Sequence, residues 1–162
     1  MEIVLVHPEI PPNTGSTARL AAAVGVRLHL IEPIGFSLES KYLKRAGLDY
    51  WPDVDMQVHP DWKTLTKQLE ADSERSLGER LRLFTARSGT SLFDVPFSAD
   101  DILVFGCESK GLPPELLTKY SDNHVRVPMR NGVRSLNLAS TVCLGAYVAL
   151  NAADEIASLD QS

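Results

Sequence analysis

Short apolar runs alternate with stretches of helical pattern along this chain, as they do in α/β proteins. Four short runs dominated by Ile, Leu, Val and Phe have the length of buried strands: residues 3–6, 28–31, 81–85 and 102–105. Stretches with a helical pattern lie between and after them: residues 13–24, 41–46, 62–70 and 113–120. Runs buried on both faces are typical of parallel sheets, whose strands are joined by helical crossovers. The pattern therefore predicts a parallel sheet flanked by helices, with a last short strand at residues 125–127.

The longest apolar pattern lies near the C-terminus, at residues 137–150. It contains neither Pro nor an acid and is rich in Ala and Leu, which favours a helix, and Ser135 and Asn137 are suitable capping residues. A helix that is apolar on most sides has to be covered. It is either the centre of a single core or part of a subunit interface, and we favour the interface because a chain of this size has a limited interior. The segment at residues 71–78, rich in Ser and charge, is expected to be a loose connection.

The composition is that of an ordinary globular protein. The chain has 162 residues, 44% hydrophobic and 23% charged, which predicts one domain over residues 1–162. No apolar run approaches the length of a membrane span, and a strand pattern stands where a basic leader would be. We therefore expect a cytoplasmic protein with no membrane partner. Cys107 and Cys143 fit no metal-ligand spacing, so buried thiols and no metal site are expected.

Charge is unevenly distributed. The formal net charge is −5, yet residues 10–31 and 123–153 contain arginines and no acid, and residues 41–45 contain three cations. Local potential governs phosphate binding more than net charge does, so a positive face on an acidic body is plausible. The candidate cations are Arg19, Lys41, Lys44, Arg45, Arg130 and Arg134. The alternative for Lys41, Lys44 and Arg45 is an ordinary solvated helix surface.

The first informative loop follows the first strand. Ligands of open parallel sheets bind beyond the carboxyl ends of the strands. Three prolines stiffen the approach after Val6, and Asn13 is placed to begin a helix with Arg19 little more than one turn further on. A helix N-terminus attracts anions, so Asn13 and Arg19 are candidates for one site. The alternative is that Asn13 only caps the helix and Arg19 is solvated.

The second informative loop, GCESKGLPP, follows Phe105. Gly106 permits close approach of a ligand to the backbone, and Glu108 is a candidate to bond a ribose, a base edge or an arginine. The alternative is an ordinary tight turn into a helix. Familiar phosphate loops, dinucleotide fingerprints, nucleophile elbows and metal spacings are absent from the sequence. Its four histidines are scattered, so we expect them at the surface or at strand ends.

Three segments together resemble a known family. PEIPPNTGSTAR from Pro8, FGCESKGLP from Phe105, and VPM from Val127 followed by SLNLAS from Ser135 are similar to the three motifs of the SPOUT methyltransferases, in the same order. More narrowly, the chain resembles the bacterial tRNA (cytidine(34)-2′-O)-methyltransferases, and LHLIEPIGF from Leu28 with RAGLDY from Arg45 strengthens that likeness. The resemblance covers nearly the whole chain, without the extra domain of larger relatives.

The resemblance implies an α/β fold with a C-terminal trefoil knot, a rare exception to the absence of knots. It also implies a homodimer, S-adenosylmethionine as the methyl donor, and the wobble nucleotide in the anticodon loop of tRNA, cytidine or modified uridine, as the acceptor. The donor site would lie at Thr85, Gly106, Glu108, Val127, Met129, Ser135 and Leu136. Open alternatives are another tRNA or rRNA ribose, and a catalytically silent RNA-binding protein on the same scaffold.

The implied reaction is an in-line attack of a ribose 2′-hydroxyl on the sulfonium methyl, which requires alignment and charge stabilisation. Arg19 resembles the arginine assigned as general base in this family. A guanidinium stays protonated in proteins, so we expect Arg19 to hold the adjacent phosphate and polarise the hydroxyl instead. The hydroxyl would be aligned by Asn13, Ser135 and Asn137.

Overall fold

The structure is a computed structural model that describes residues 1–37, 54–71 and 73–161. Its sheet has seven strands, all paired in parallel, in the order β3-β2-β1-β6-β4-β7-β5. The strands are β1 (Glu2–Val6), β2 (Arg27–Ile31), β3 (Met56–His59), β4 (Leu81–Thr85), β5 (Thr90–Ser91), β6 (Ile102–Phe105) and β7 (His124–Arg126). The α/β prediction is confirmed. The predicted helix at residues 41–46, with Lys41, Lys44 and Arg45, lies outside the described residues.

Five α-helices are present among the described residues: α1 (Pro11–Val24), α2 (Trp62–Ala71), α3 (Leu77–Arg80), α4 (Pro114–Lys119) and α5 (Leu138–Ala152). They cover both faces of the sheet and create two apolar cores. On one face α1 packs against α5, and the rings of Phe84 and Phe105 stack with centroids 4.3 Å apart. On the other face α2 and α4 bury Leu65, Leu69 and Leu116. Both cores lie below the carboxyl edge of the sheet, where the loops converge.

Two short strands were not expected from the sequence. β3 and β5 lie at opposite edges of the sheet. β3 reads Met-Gln-Val-His and lacks an apolar run, because it has a neighbouring strand along one edge only. β5 has only two residues. Strands at an edge do not need apolar side chains on both faces, so the pattern used for the inner strands fails there.

The segment at residues 71–78 was expected to be loose, and its described part is ordered by polar contacts. Ser76 and Glu79 form a capping box at the start of α3, in which Glu79 accepts from the Ser76 backbone N–H at 3.0 Å. Arg75 pairs with Asp100. The Ser and charge that suggested looseness are therefore the groups that fix the turn.

The amino edge of the sheet carries a dense set of paired charges. Arg82 lies 3.0 Å from the buried Asp101, Arg80 lies 3.6 Å from Glu2, and Arg27 lies 2.8 Å from Asp55. Each of these pairs joins the start of one strand to a neighbouring strand or loop. They stabilise the amino end of the sheet, opposite the loops at its carboxyl edge.

His29 contradicts the expectation of a surface or strand-end position, whereas His59 is buried but stands at a strand end as expected. His29 is fully buried in the middle of β2, and His59 is 5% exposed at the end of β3. His29 Nε2 lies 2.6 Å from the Glu2 carboxylate, and its Nδ1 lies 2.9 Å from His59 Nε2. Burial, and secondarily His29, lowers the pKa of His59. Burial alone would raise the pKa of Glu2, but the contact with His29 and the nearby arginines lower it overall.

The segment from β7 to α5 is where the resemblance implies a trefoil knot, and the knot stays a prediction. No helix within the described residues is long and apolar enough to cross a membrane. Of the two cysteines, Cys143 is exposed on α5 and Cys107 is half-buried, so the expectation of buried thiols was wrong. The small apolar neighbours of Cys143 in sequence lie on the other side of its helix.

Candidate functional site

A pocket of about 670 Å³ opens at the carboxyl edge of the sheet. Its floor contains Phe84 and Phe105 at the ends of β4 and β6, and apolar side chains of the loop after β7 and of α5 complete the walls. Its rim is made by the β4–β5 loop, the β6–α4 loop and the β7–α5 loop. The volume lies in the range of small-molecule sites.

The β6–α4 loop is closed on itself. Cys107 donates its backbone N–H to the Gly111 carbonyl at 3.2 Å, and Gly111 donates to the Cys107 carbonyl at 2.9 Å. A Cβ built on Gly106 would lie 2.0 Å from the Gly111 carbonyl carbon, so only glycine fits there. Gly111 itself has φ 75, a left-handed conformation that favours glycine. The two glycines are thus explained by loop closure.

Glu108 ties this loop to the start of α1. Its carboxylate accepts hydrogen bonds from the backbone N–H groups of Glu9 at 2.9 Å and Ile10 at 3.2 Å. In return, the Glu9 carboxylate accepts from the backbone N–H of Ser109 at 2.9 Å and from its hydroxyl at 2.7 Å. These hydrogen bonds lower the pKa of Glu9. The contacts run in both directions and hold two of the three motif segments together.

Asn13 extends the same network to the third segment. Its Nδ2 donates to the Glu108 carboxylate at 2.9 Å, and its Oδ1 accepts from Asn137 Nδ2 at 3.0 Å. Asn137 caps α5 by accepting from the Ser140 backbone N–H at 3.1 Å, as expected. Asn13, however, does not cap α1. That helix begins two residues earlier at Pro11, with Ile10 at the cap position, which leaves the Asn13 side chain for the site.

The β4–β5 loop is held by small polar contacts. The Thr85 hydroxyl donates to the Ser88 carbonyl at 2.6 Å and accepts from the Ser88 backbone N–H at 3.0 Å. Ser88 Oγ lies 3.2 Å from Nδ1 of His124 on β7. Gly89 has φ 106, and a Cβ there would meet the His124 carbonyl at 2.2 Å. Hydrogen bonds therefore hold both the β4–β5 loop and the β6–α4 loop in place at the rim of the pocket.

Comparisons with known proteins identify this arrangement. The family model described as the SpoU rRNA Methylase family matches residues 1–147. The chain belongs to this family. A curated relative from Polaromonas sp. (strain JS666 / ATCC BAA-500), named tRNA (cytidine(34)-2′-O)-methyltransferase, is 45% identical over 148 residues, which are 91% of this chain and 87% of that protein. A relative from Saccharophagus degradans with the same name is 42% identical over 148 residues, 91% of this chain and 92% of that protein.

Two solved structures show the same fold. One, described as giving structural insights into the 2-OH methylation of C/U34 on tRNA, is 43% identical, has a TM-score of 0.83, and the match covers 97% of this chain and 96% of that chain. The other is the SpoU methyltransferase AviRb from Streptomyces viridochromogenes in complex with AdoMet, 25% identical with a TM-score of 0.77. That match covers 93% of this chain and 59% of that chain. The predicted family and fold class are confirmed.

The structure brings most of the predicted site residues into this one pocket. Those that line it are Asn13, Thr85, Gly106, Glu108, Val127, Met129, Arg134, Ser135, Leu136 and Asn137. Arg19 and Arg130 do not line the pocket of this chain, and Arg19 lies on an exposed side of α1. Within the described ranges, no three His, Cys, Asp or Glu side chains group as metal ligands.

Sequence reasoning missed two cations of this site and one pair of hydrogen bonds that joins two of its loops. Arg87 and Lys110 both line the pocket. Arg87 follows Thr85 by two residues, so the loop that was predicted to hold the donor carried the signal. Lys110 stands in the loop after Phe105, in which the sequence pointed to Gly106 and Glu108. The hydrogen bonds between Glu9 and Ser109 join residues a hundred positions apart, and no local pattern reveals such a contact.

Proposed function

We propose that this protein transfers the methyl group of S-adenosylmethionine to the ribose 2′-hydroxyl of the wobble nucleotide, position 34, of tRNA, either cytidine or a modified uridine. The observation that carries the proposal is the pocket at which all three motif segments meet and are joined through Glu108, Asn13 and Asn137. Relatives that share this chain nearly end to end are named for that reaction. The acceptor would be the anticodon loop, whose bases can be splayed and contacted singly.

The pocket residues fit S-adenosylmethionine. Aromatic and aliphatic walls from Phe84, Phe105, Leu112 and Leu138 suit a flat nucleobase. The tight loop at residues 106–111 and the turn at residues 85–89 present backbone groups at the rim, which suits hydrogen bonding to base and ribose edges. The donor supplies an electrophilic methyl group on a sulfonium. Thr85, Gly106 and the segments at Val127 and Leu136 would hold it.

On the acceptor side, the protein has to orient a hydroxyl for in-line attack. Asn13 is hydrogen-bonded to both Glu108 and Asn137, so the two amides are preorganised and lose little entropy on binding. Ser135 is exposed at the rim beside them. We assign the alignment of the ribose hydroxyl to Asn137 and Ser135, with Asn13 as the residue that positions Asn137.

The homodimer is part of the proposal. α1 and α5 pack side by side, and the outer side of α5 exposes Cys143 and Tyr147, the latter to 44%. An exposed apolar face on so apolar a helix favours burial against a second copy. Arg19 is on the exposed side of α1, not in the pocket of its own chain. We propose that it acts on RNA bound across this interface, at the second pocket.

A transfer assay tests the function. Purified protein and labelled S-adenosylmethionine are incubated with total tRNA from a strain that lacks this gene, and in parallel with ribosomal RNA from the same strain. The proposal expects label in tRNA. The family description favours ribosomal RNA as the second candidate, and label there alone would replace the first proposal with it. Binding of the donor without transfer to either RNA would support the silent RNA-binding alternative.

Mixed dimers test the role of Arg19. Arg19→Ala alone and Asn137→Ala alone should each be nearly inactive. If Arg19 serves the second pocket, a heterodimer of the two variants has one pocket with both residues intact and recovers up to about half of wild-type activity per dimer. A role within one chain predicts no recovery.

A further inference from the structure

We propose that Arg87 and Lys110 grip the phosphate backbone of the RNA at the mouth of the pocket, together with Arg134. The inference rests on the function proposed above and deepens it, because it assigns RNA contacts to two residues of the loops that were predicted to hold the donor.

The first observation is that the three cations surround one pocket from three different loops. Arg87 belongs to the β4–β5 loop, Lys110 to the β6–α4 loop and Arg134 to the β7–α5 loop, and all three line the pocket and are exposed. None of them forms an ion pair with a described residue. By contrast, Arg75, Arg80 and Arg82 at the amino edge are all paired with carboxylates. The charge at the pocket is therefore available to a ligand.

The second observation is that the nearby acids are already engaged. Glu108 is the one carboxylate among the described residues that line the pocket. It accepts three hydrogen bonds from Glu9, Ile10 and Asn13. The Glu9 carboxylate lies near Lys110 without forming an ion pair with it, and accepts two hydrogen bonds from Ser109. Both carboxylates are therefore hydrogen-bonded to the protein, while the three cations that line the pocket are exposed.

The third observation is that both new cations stand on pinned loops. The turn that carries Arg87 is closed by the Thr85 hydroxyl and anchored to His124 through Ser88. The loop that carries Lys110 is closed by the paired backbones of Cys107 and Gly111. A cation on a preorganised loop loses less conformational entropy on binding than one on a mobile segment.

Two anions are candidates to contact these cations: the carboxylate of the donor and the phosphates of the RNA. The net charge of the donor favours the phosphates. S-adenosylmethionine carries a sulfonium and an ammonium against one carboxylate, so its net charge is positive. Three cations around its pocket oppose its binding unless a second, anionic ligand shares the opening. RNA brings one negative charge per nucleotide, and cations that contact phosphates are the main source of its affinity. The arrangement therefore fits an RNA strand laid over an occupied donor site.

Paired binding experiments test the inference. The test protein carries Arg87→Gln and Lys110→Gln, and the matched control carries Lys63→Gln and Lys67→Gln, two exposed cations on α2 at the other face of the sheet. Binding of end-labelled total tRNA from the deletion strain, and of its ribosomal RNA, is measured by filter retention at several salt concentrations. Binding of S-adenosylmethionine is measured by calorimetry, and methyl transfer is measured at varied RNA concentration.

Each lost phosphate contact lowers the slope of log affinity against log salt by about 0.7 to 0.9. The test protein should therefore lose about 1.5 from the slope and about tenfold or more in RNA affinity. Its KM for RNA should rise, while its kcat and its donor affinity should each stay within about threefold of the wild-type values. A test protein that carries Arg87→Lys in place of Arg87→Gln should regain part of the RNA affinity. The control should match the wild type in every measurement.

Two results would overturn the grip while leaving the proposed function intact. One is a test protein that methylates tRNA with an unchanged salt slope. The other is a loss of donor affinity with unchanged RNA affinity, which would assign the cations to the donor carboxylate. If the wild type neither binds nor methylates either RNA, the proposed function fails and the grip fails with it.

Discussion

Glu108 is the residue whose replacement tests the structure of the site most sharply. Its carboxylate accepts hydrogen bonds from Glu9 N at 2.9 Å, Ile10 N at 3.2 Å and Asn13 Nδ2 at 2.9 Å. Glu108→Gln keeps the shape of the side chain but replaces one acceptor oxygen with an NH₂ group. In the less costly orientation the new NH₂ group faces the Glu9 N–H, and that hydrogen bond is lost. The hydrogen bonds from Ile10 N and Asn13 Nδ2 remain, but their acceptor is then a neutral oxygen.

The magnitude follows from those contacts. Losing one hydrogen bond to a charged acceptor and weakening two more costs about 2–3 kcal/mol. For a chain of this size that lowers Tm by about 4–12 °C. Thermal unfolding followed by circular dichroism measures it, with Glu74→Gln, an exposed acid in a turn, as the control that should stay within about 1 °C. Donor affinity should fall as well, because the loop that carries Gly106 is no longer tied to α1.

A double substitution separates this network from general damage. Asn13→Asp alone places two carboxylates about 2.9 Å apart, at the distance of the present hydrogen bond, and should destabilise strongly. In Glu108→Gln with Asn13→Asp the new amide can donate to the new carboxylate, so the pair should be more stable than the sum of the single effects by about 1–3 kcal/mol. Additive effects, or a Glu108→Gln protein that melts like the wild type, would refute the reasoning.

Three further predictions follow from particular contacts. Gly106→Ala puts a methyl group 2.0 Å from the Gly111 carbonyl carbon and should weaken donor binding at least tenfold by calorimetry, whereas Gly78→Ala, which meets nothing within 4 Å, should not; equal affinities would show that the loop tolerates opening. Because burial lowers the pKa of His59, the unfolded chain takes up a proton near pH 6.5 before the folded protein does, so the free energy of unfolding should fall below that pH by up to about 1.4 kcal/mol per unit. His59→Gln should reduce the slope of the free energy of unfolding against pH, measured by urea unfolding at several pH values. An unchanged slope would show that another group takes up the proton. Arg19→Lys should lose most of kcat if the planar guanidinium fork is needed on the phosphate, and turnover close to wild type would remove that role.

The inner strands of the sheet and the main helices could be predicted because burial constrains their sequences. β4 and β6 were predicted with the bounds that the structure has, since strands covered on both faces are mostly apolar; β6 is apolar throughout, and β4 is apolar except at Arg82 and Thr85. β3 and β5 escaped prediction because edge strands are half exposed and short. The start of α1 was predicted at Asn13 and lies two residues earlier, because Pro11 and Pro12 belong to its first turn, where a proline costs no backbone hydrogen bond.

The members of the site were predictable, but their connections were not. Motif residues that follow β1, β6 and β7 converge on one pocket because the carboxyl ends of parallel strands lie at the same edge of the sheet, a topological consequence that sequence reasoning reaches. That Glu108 bonds Glu9, Ile10 and Asn13 depends on contacts between segments about a hundred residues apart. The buried chain of Glu2, His29 and His59 likewise joins three strands. Spacing along the sequence carries no information on such pairs.

The central claim is the methylation of one ribose in tRNA, and the position of the methyl group tests it most directly. Purified protein transfers labelled methyl from S-adenosylmethionine to total tRNA of the deletion strain, and nuclease digestion with mass spectrometry then locates the product. The account predicts a single 2′-O-methylated nucleoside at position 34, and a parallel reaction with Gly106→Ala that is strongly reduced. A methyl group on a base, or on the ribose of any other nucleotide, would contradict it.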